Sequence, residues 1–142
     1  MTPVLVDTSV WVDHFRRGNE ALVQLLVQDR VLIHPCILGE IACGTPPRRA
    51  QTLADLASLQ AAQQASLPEM LDFMEREQLF GRGCGWVDLQ LLAATCLSEG
   101  AVLAVEWPDR WANAPASAVH VSIESEGGDR RTIRIRRPPR HR

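Results

Sequence analysis

The sequence predicts an α/β fold, and three stretches predict it. Val4-Leu5-Val6 is a short apolar run that ends in Asp7 and passes through Thr8 and Ser9 into residues with helical periodicity. Val31-Leu32-Ile33-His34 repeats the pattern after an intervening helical segment, with Pro35 at a helix-start position. Ala101-Val102-Leu103-Ala104-Val105 is a further apolar strand, entered from the most apolar helical stretch in the chain. Short buried strands alternating with helices are the signature of this class. A carboxylate at the end of such a strand stands where open α/β sheets place their ligand sites, so Asp7 is the first candidate for chemistry.

The elements follow in order. Thr8 to Phe15 reads as a helix, with Val10, Trp11 and His14 at helical spacing. Asp7 suits its N-cap, because Asp accepts hydrogen bonds from free backbone N–H groups. Cap and metal ligand are both open readings at this point. Asn19 caps a second helix through Val27, with Leu22, Val23, Leu26 and Val27 apolar. After the second strand, Ile37, Leu38, Ile41 and Ala42 form the stripe of a third helix, and Glu40 lies at the stripe's edge. A carboxylate turned toward a core needs a partner such as a divalent cation, whereas one on the solvated flank needs none.

Thr45 to Arg49 is a Pro-rich turn whose Arg48 and Arg49 either touch phosphate or solvate a loop. Ala50 to Gln64 reads as one helix, and Pro68 to Phe80 as another, in which Met70, Phe73 and Met74 are core or dimer-interface residues. Gly81-Arg82-Gly83-Cys84-Gly85 is a turn or hinge rather than a phosphate cradle, since it follows a helix. Trp86 to Ala94 opens the most apolar helix, with Asp88 in its first turn, where the helix dipole favours negative charge. Beyond residue 118, Val119, Val121 and Ile123 alternate with polar residues, Glu126-Gly127-Gly128-Asp129 supplies a turn, and Ile133 and Ile135 alternate with Arg134 and Arg136. That pattern predicts a β-hairpin with an arginine-bearing face. The arginines either neutralise nucleic-acid phosphates or blunt a solvated edge strand.

Composition narrows the function. At 142 residues the chain suits one domain with an appendage. No stretch approaches the roughly 20 apolar residues of a membrane helix, and the N-terminus lacks a signal-peptide pattern, so a cytoplasmic location is expected. Cys36, Cys43, Cys84 and Cys96 form no CxxC pair and read as reduced packing residues rather than zinc ligands. All 15 basic residues are arginine, and the absence of lysine removes the P-loop nucleotide motif. Acids outnumber arginines up to residue 98, and arginines outnumber acids after it.

Asp7, Glu40 and Asp88 each lie at the start or edge of a helix, and three such carboxylates suit Mg²⁺ or Mn²⁺, hard cations that prefer oxygen. Their convergence would itself imply a cation, because like charges repel. Water activation and stabilisation of phosphoryl charge are the two needs of phosphodiester hydrolysis. Spacing alone does not bring the three together.

The motifs Val4-Leu5-Val6-Asp7-Thr8-Ser9-Val10-Trp11 with His14-Phe15, Ile37-Leu38-Gly39-Glu40-Ile41, and Gly83-Cys84-Gly85-Trp86-Val87-Asp88-Leu89-Gln90-Leu91-Leu92-Ala93-Ala94 resemble, in order, those of VapC-type PIN-domain ribonuclease toxins. The resemblance spans about residues 3 to 98. It implies a PIN-like, Rossmann-like α/β/α sandwich with a parallel sheet, and Mg²⁺ or Mn²⁺ as cofactor. It also implies a toxin of a type II toxin–antitoxin system that cleaves structured RNA such as tRNA or rRNA, homodimerises and is neutralised by a cognate antitoxin. Asp7, Glu40 and Asp88 match the family's metal-binding acids, and Ser9 matches the small polar residue supporting the first.

The family pattern normally continues with a strand and a Thr-x-Asp motif bearing a fourth acid. Here Ala101 to Val105 supplies the strand, but Glu106-Trp107-Pro108-Asp109-Arg110 follows, with Trp107 near the aspartate position. Glu106 and Asp109 are the substitutes at hand. Glu99 to Arg110 and Ala118 to Arg136 resemble instead the C-terminal end of the small P-loop ATPase of the tRNA threonylcarbamoyladenosine pathway. That family's nucleotide-binding half is absent, so no ATP is implied. The expected organisation is a C-terminally incomplete PIN-like domain over residues 1–105 and a foreign-looking β-hairpin with a basic tail over 106–142. Two functional expectations follow: an active RNA endonuclease, or a catalytically inactive PIN-like module that binds antitoxin or RNA.

Overall fold

A computed structural model of the protein describes residues 1–105 and the strands 120–125 and 131–136. The core strands are β1 (Val4–Val6), β2 (Val31–Ile33), β3 (Gln60–Ala61) and β4 (Val102–Ala104), joined in the order β3-β2-β1-β4. All three pairings are parallel, with Val4 opposite both Val31 and Val102, and Leu32 opposite Gln60. Parallel strands need crossovers, and helices supply them. Between β1 and β2 run α1 (Thr8–Arg17) and α2 (Glu20–Val27), between β2 and β3 run α3 (Pro35–Ala42) and α4 (Arg49–Ala57), and between β3 and β4 run α5 (Leu67–Arg76) and α6 (Trp86–Leu97). The expected α/β fold with a parallel sheet is therefore the observed one.

Every residue of β1 and β2 is buried, as strands covered on both faces require. Leu5, Val6 and Ile37 are fully enclosed, and Trp11, Leu22, Leu56, Leu91 and Ala94 complete the main core around them. A second, smaller cluster joins Met70 of α5 and Leu79 to Leu89 and Ala93 of α6, with Phe73, Met74 and Cys84 packed on it. Helix α6 lies between the two clusters: Val87, Leu91 and Ala94 serve the first, Leu89 and Ala93 the second. Burial on two sides explains why it is the most apolar helix in the chain. Met70 is a core residue, which resolves one of the two readings it carried from sequence.

The helix ends follow local chemistry. Asn19 Oδ1 accepts the Leu22 amide at 3.0 Å, and Ser66 and Glu69 form a reciprocal capping box at the start of α5. Gly18 ends α1 at φ +72°, a conformation that favours glycine, and its N–H donates to the His14 carbonyl. Two boundaries differ from expectation by more than two residues. The helix expected over residues 50–64 stops at Ala57, and Gln60–Ala61 forms the edge strand β3. Both of its residues are exposed, so it carries none of the apolar alternation that betrays a strand, and its Ala- and Gln-rich setting has helix propensity. The helix expected through Phe80 ends at Arg76, where Gln78 turns to φ +50°.

β5 (His120–Ser125) and β6 (Arg131–Arg136) pair antiparallel with each other in a two-stranded sheet, setting Val121 opposite Ile135 and Ile123 opposite Ile133. This is the hairpin that the alternation predicts. Among the described residues no helix is long and apolar enough to cross a membrane. All four cysteines are free thiols; Cys84 packs on the second cluster, but Cys43 and Cys96 are exposed and so are not the packing residues expected.

Candidate active site

From β1 the chain crosses to β2 and β3 on one side, then returns to β4 on the other. The strand order reverses between β1 and β4, and the crevice beyond the carboxyl ends of those two strands is where such sheets bind ligands. Asp7 is the first residue beyond β1 at that point. Its N–H donates to the carbonyl of Ala104, the last residue of β4, at 2.9 Å. Its side chain is the N-cap of α1: Oδ2 accepts the Ser9 amide at 3.1 Å and the Ser9 hydroxyl at 2.6 Å. Both donors fall on one carboxylate oxygen, which leaves Oδ1 as the oxygen through which Asp7 can serve a cation as well. Asp7 thus caps α1, with the Ser9 amide and hydroxyl as its two donors.

Glu40 rides on α3. Ile37 and Ile41 bury one side of that helix in the core, while Glu40 itself is exposed. It lies one helical turn from Cys36, whose thiol is pushed up by burial first and by the Glu40 charge second. The start of α3 is fixed by a residue the sequence reading passed over. His34 is buried, and its Nδ1 accepts the Cys36 amide at 3.0 Å as the helix cap. Burial pulls its pKa below the ordinary histidine value. The signal available in sequence was its place between a buried strand and a proline at the helix start.

Asp88 is half-buried in the first turn of α6, behind an N-cap, Gly85, that has no side chain to offer the helix. A Cβ at Gly85 would meet Asp88 Oδ2 at 3.6 Å, so the carboxylate folds back over the helix start. There it faces the free amide ends and the positive end of the helix dipole.

Asp7, Glu40 and Asp88 are oxygen donors of the type that Mg²⁺ or Mn²⁺ selects, but the structure does not gather the three into one site. Among the described residues, no three His, Cys, Asp or Glu side chains come close enough together to hold such an ion. Glu106 and Asp109, the two substitutes for a fourth acid, lie outside the described residues.

The arginines divide. Arg49 donates to the carbonyls of Ala42 at 2.5 Å and Gly44 at 3.2 Å, closing the end of α3. Arg48, at φ +45° just before α4, lines a cavity of about 360 Å³ with Trp11, Phe15, Leu26 and Leu56. None of the three acids borders that cavity. Arg134 and Arg136 stand opposite Ser122 and His120 in the hairpin register.

No family model matches the chain. Over 100 residues it is 40% identical to Ribonuclease VapC32 of Mycobacterium tuberculosis, in both strain CDC 1551 / Oshkosh and strain H37Rv; the match covers 70% of this chain and 81% of the relative. The chain belongs to the VapC ribonuclease family. Membership agrees with the parallel α/β sheet and with an acid at its switch point.

Proposed function

We propose that the protein is the toxin of a type II toxin–antitoxin pair, an endoribonuclease dependent on Mg²⁺ or Mn²⁺. The observation that carries this reading is the Asp7 carboxylate, set at the β1/β4 switch point and held there by both Ser9 donors. Asp7, Glu40 and Asp88 are the residues that would hold the cation, with Glu106 or Asp109 in place of the family's fourth acid. When bound, the cation supplies Lewis acidity that helps ionise water and offsets charge on a phosphodiester oxygen.

The chain's own contributions are distinct. Ser9 gives two hydrogen bonds to Asp7 Oδ2, fixing the carboxylate's rotation. The Asp7 N–H bond to Ala104 ties that carboxylate to the end of β4, beside the segment from which the fourth acid would come. The α6 N-terminus, with the positive end of its dipole, is the setting that orients Asp88. Arg48, Arg134 and Arg136 are candidates for sequence-independent phosphate contacts, and Arg49 has a structural role besides. The substrate class is structured RNA such as tRNA or rRNA. The expected partners are a cognate antitoxin and a second copy of the chain, in the cytoplasm, with no ATP and no membrane.

The second reading is an inactive module that binds antitoxin or RNA, favoured by Trp107 standing where the family pattern places an aspartate. A pool of total tRNA and rRNA incubated with purified protein separates the two. Discrete products in Mn²⁺ that vanish in EDTA support the nuclease; no products from a protein that unfolds cooperatively support the inactive module.

A further inference from the structure

The carboxyl end of the sheet carries a second capping side chain on the strand next to Asp7. β1 and β2 run parallel with Val4 opposite Val31 and Leu5 opposite Leu32, so two residues further on the chain presents Asp7 at one strand end and His34 at its neighbour. Each is the first residue past its strand and the N-cap of the helix that follows. Those helices, α1 and α3, pack against each other, with Trp11 and Ile37 in one core cluster. Like Asp7, His34 takes the amide two residues on: its Nδ1 accepts from Cys36 at 3.0 Å. That role needs a lone pair on Nδ1, which assigns the proton of the neutral ring to Nε2. Burial pulls the His34 pKa down and so favours the neutral ring.

His34 is 2% exposed, and its Nε2–H has no hydrogen-bond partner among the described residues. It is not sealed in either, as the partnerless Thr8 Oγ1 and Trp11 Nε1 are. The two ring nitrogens flank Cε1 on opposite sides, so with Nδ1 turned onto the start of α3, Nε2 is directed away from it. A buried donor that keeps an opening and has no partner in the protein is one that a ligand can complete. The surroundings select the ligand. α1 and α3 both begin at this end of the sheet, and the positive ends of their dipoles favour an anion. A carboxylate such as Asp7 repels one, so a phosphodiester brought beside it needs a donor that does not compete for a cation. A neutral imidazole N–H is such a donor. Arg49 is engaged at the end of α3, and Arg48 lines a cavity that none of the three acids borders. We propose that His34 Nε2–H donates to a phosphate oxygen of the RNA and holds the phosphodiester beside Asp7. The identity of the ligand rests on the nuclease reading, whereas the contact itself does not require cleavage. His34 then joins a structural and a substrate-binding role in one ring, through its two different nitrogens.

Two substitutions in the full chain separate the nitrogens. His34→Asn keeps an acceptor near the place of Nδ1 for the Cys36 amide and loses the Nε2 donor; His34→Gln carries an amide N–H to the place of Nε2 and loses the cap. The measurements are binding of a total tRNA pool, by filter binding in EDTA, and thermal unfolding. The expected result is about a tenfold loss of affinity in His34→Asn, the scale of a hydrogen bond to a charged group, with unfolding close to the wild type. His34→Gln should recover most of the affinity while unfolding at a lower temperature, an order that a purely structural histidine would reverse. In Mn²⁺, His34→Asn should raise KM for RNA more than it lowers kcat. Wild-type affinity in His34→Asn, a loss in His34→Gln as large or larger, or no RNA binding by the wild type would overturn the proposal. If His34→Asn does not fold, the wild type decides: the imidazole Nε2–H resonance in a ¹⁵N–¹H correlation spectrum should move on addition of tRNA, and one that stays in place would overturn the proposal. The expected binding pattern without cleavage by the wild type would remove the nuclease reading and leave this one; metal-dependent cleavage with affinity and KM insensitive to His34→Asn would do the reverse.

Discussion

Asp7 and Asp88 both stand at the beginning of a helix, and the protein uses them differently. Asp7 is its own helix's cap: it accepts from Ser9 and lies before the first helical residue. Asp88 lies inside α6, whose cap is a glycine with no side-chain bond to give. At Asp7, therefore, structure and proposed chemistry share one carboxylate, and at Asp88 they separate. The comparison teaches that loss of function at the first acid has to be read against loss of the cap, whereas at the second it can be read almost directly.

The largest expected effect tests that distinction. Asp7→Asn should abolish metal-dependent cleavage while leaving stability nearly intact, because Asn caps a helix as well as Asp does. Asp7→Ala should abolish cleavage and also cost about 0.5–2 kcal/mol in urea unfolding. Equal stability of the two variants would mean that the cap is not what Asp7 contributes. Next, Asp88→Asn should remove cleavage with a stability change of only about 0.3–1 kcal/mol, the scale of a helix-dipole interaction. A loss well beyond that scale in thermal unfolding would show Asp88 to be structural after all.

Ser9→Ala is expected to fall between them. It removes a hydroxyl bond to Asp7 Oδ2 but keeps the backbone amide, so cleavage should weaken and stability should drop by about 1 kcal/mol. Full activity would remove Ser9 from the account.

The smallest effect concerns α3, which carries Glu40 on a helix capped by His34. Burial lowers the His34 pKa, so the unfolded chain takes up its proton before the folded one does. The stability that this group contributes is complete above the ordinary histidine pKa near 6.5. It is lost as pH falls from there toward the depressed folded value. His34→Asn, which supplies an oxygen to the same amide without titrating, should flatten this part of the stability–pH curve. An unchanged curve would locate the titration elsewhere.

Much of this arrangement was legible in the chain. Val4 to Val6 running into Asp7 and a hydroxyl-rich helix start fixes a strand end, a cap and a candidate ligand together, since each depends on local chemistry. Asn19 and Pro35 mark their helix starts for the same reason. β3 was not legible, because Gln60 and Ala61 pair through backbone groups at an edge and bury no side chain. The His34 cap depends on burial, which periodicity does not reveal. Glu40 at the edge of its stripe was compatible with either face, and only the packing of Ile37 and Ile41 turns it outward. Glu106 and Asp109 lie outside the described residues, so the fourth-acid position rests on sequence alone.

The central claim is that Asp7, Glu40 and Asp88 serve one cation. Mn²⁺ binding followed by electron paramagnetic resonance, on the wild type and on Asp7→Asn, Glu40→Gln and Asp88→Asn in parallel, tests it without reference to activity. The account predicts one site in the wild type and a marked loss of affinity in all three variants, with each still folding cooperatively. Wild-type affinity in Glu40→Gln or Asp88→Asn would contradict it, and would break the three acids into separate roles.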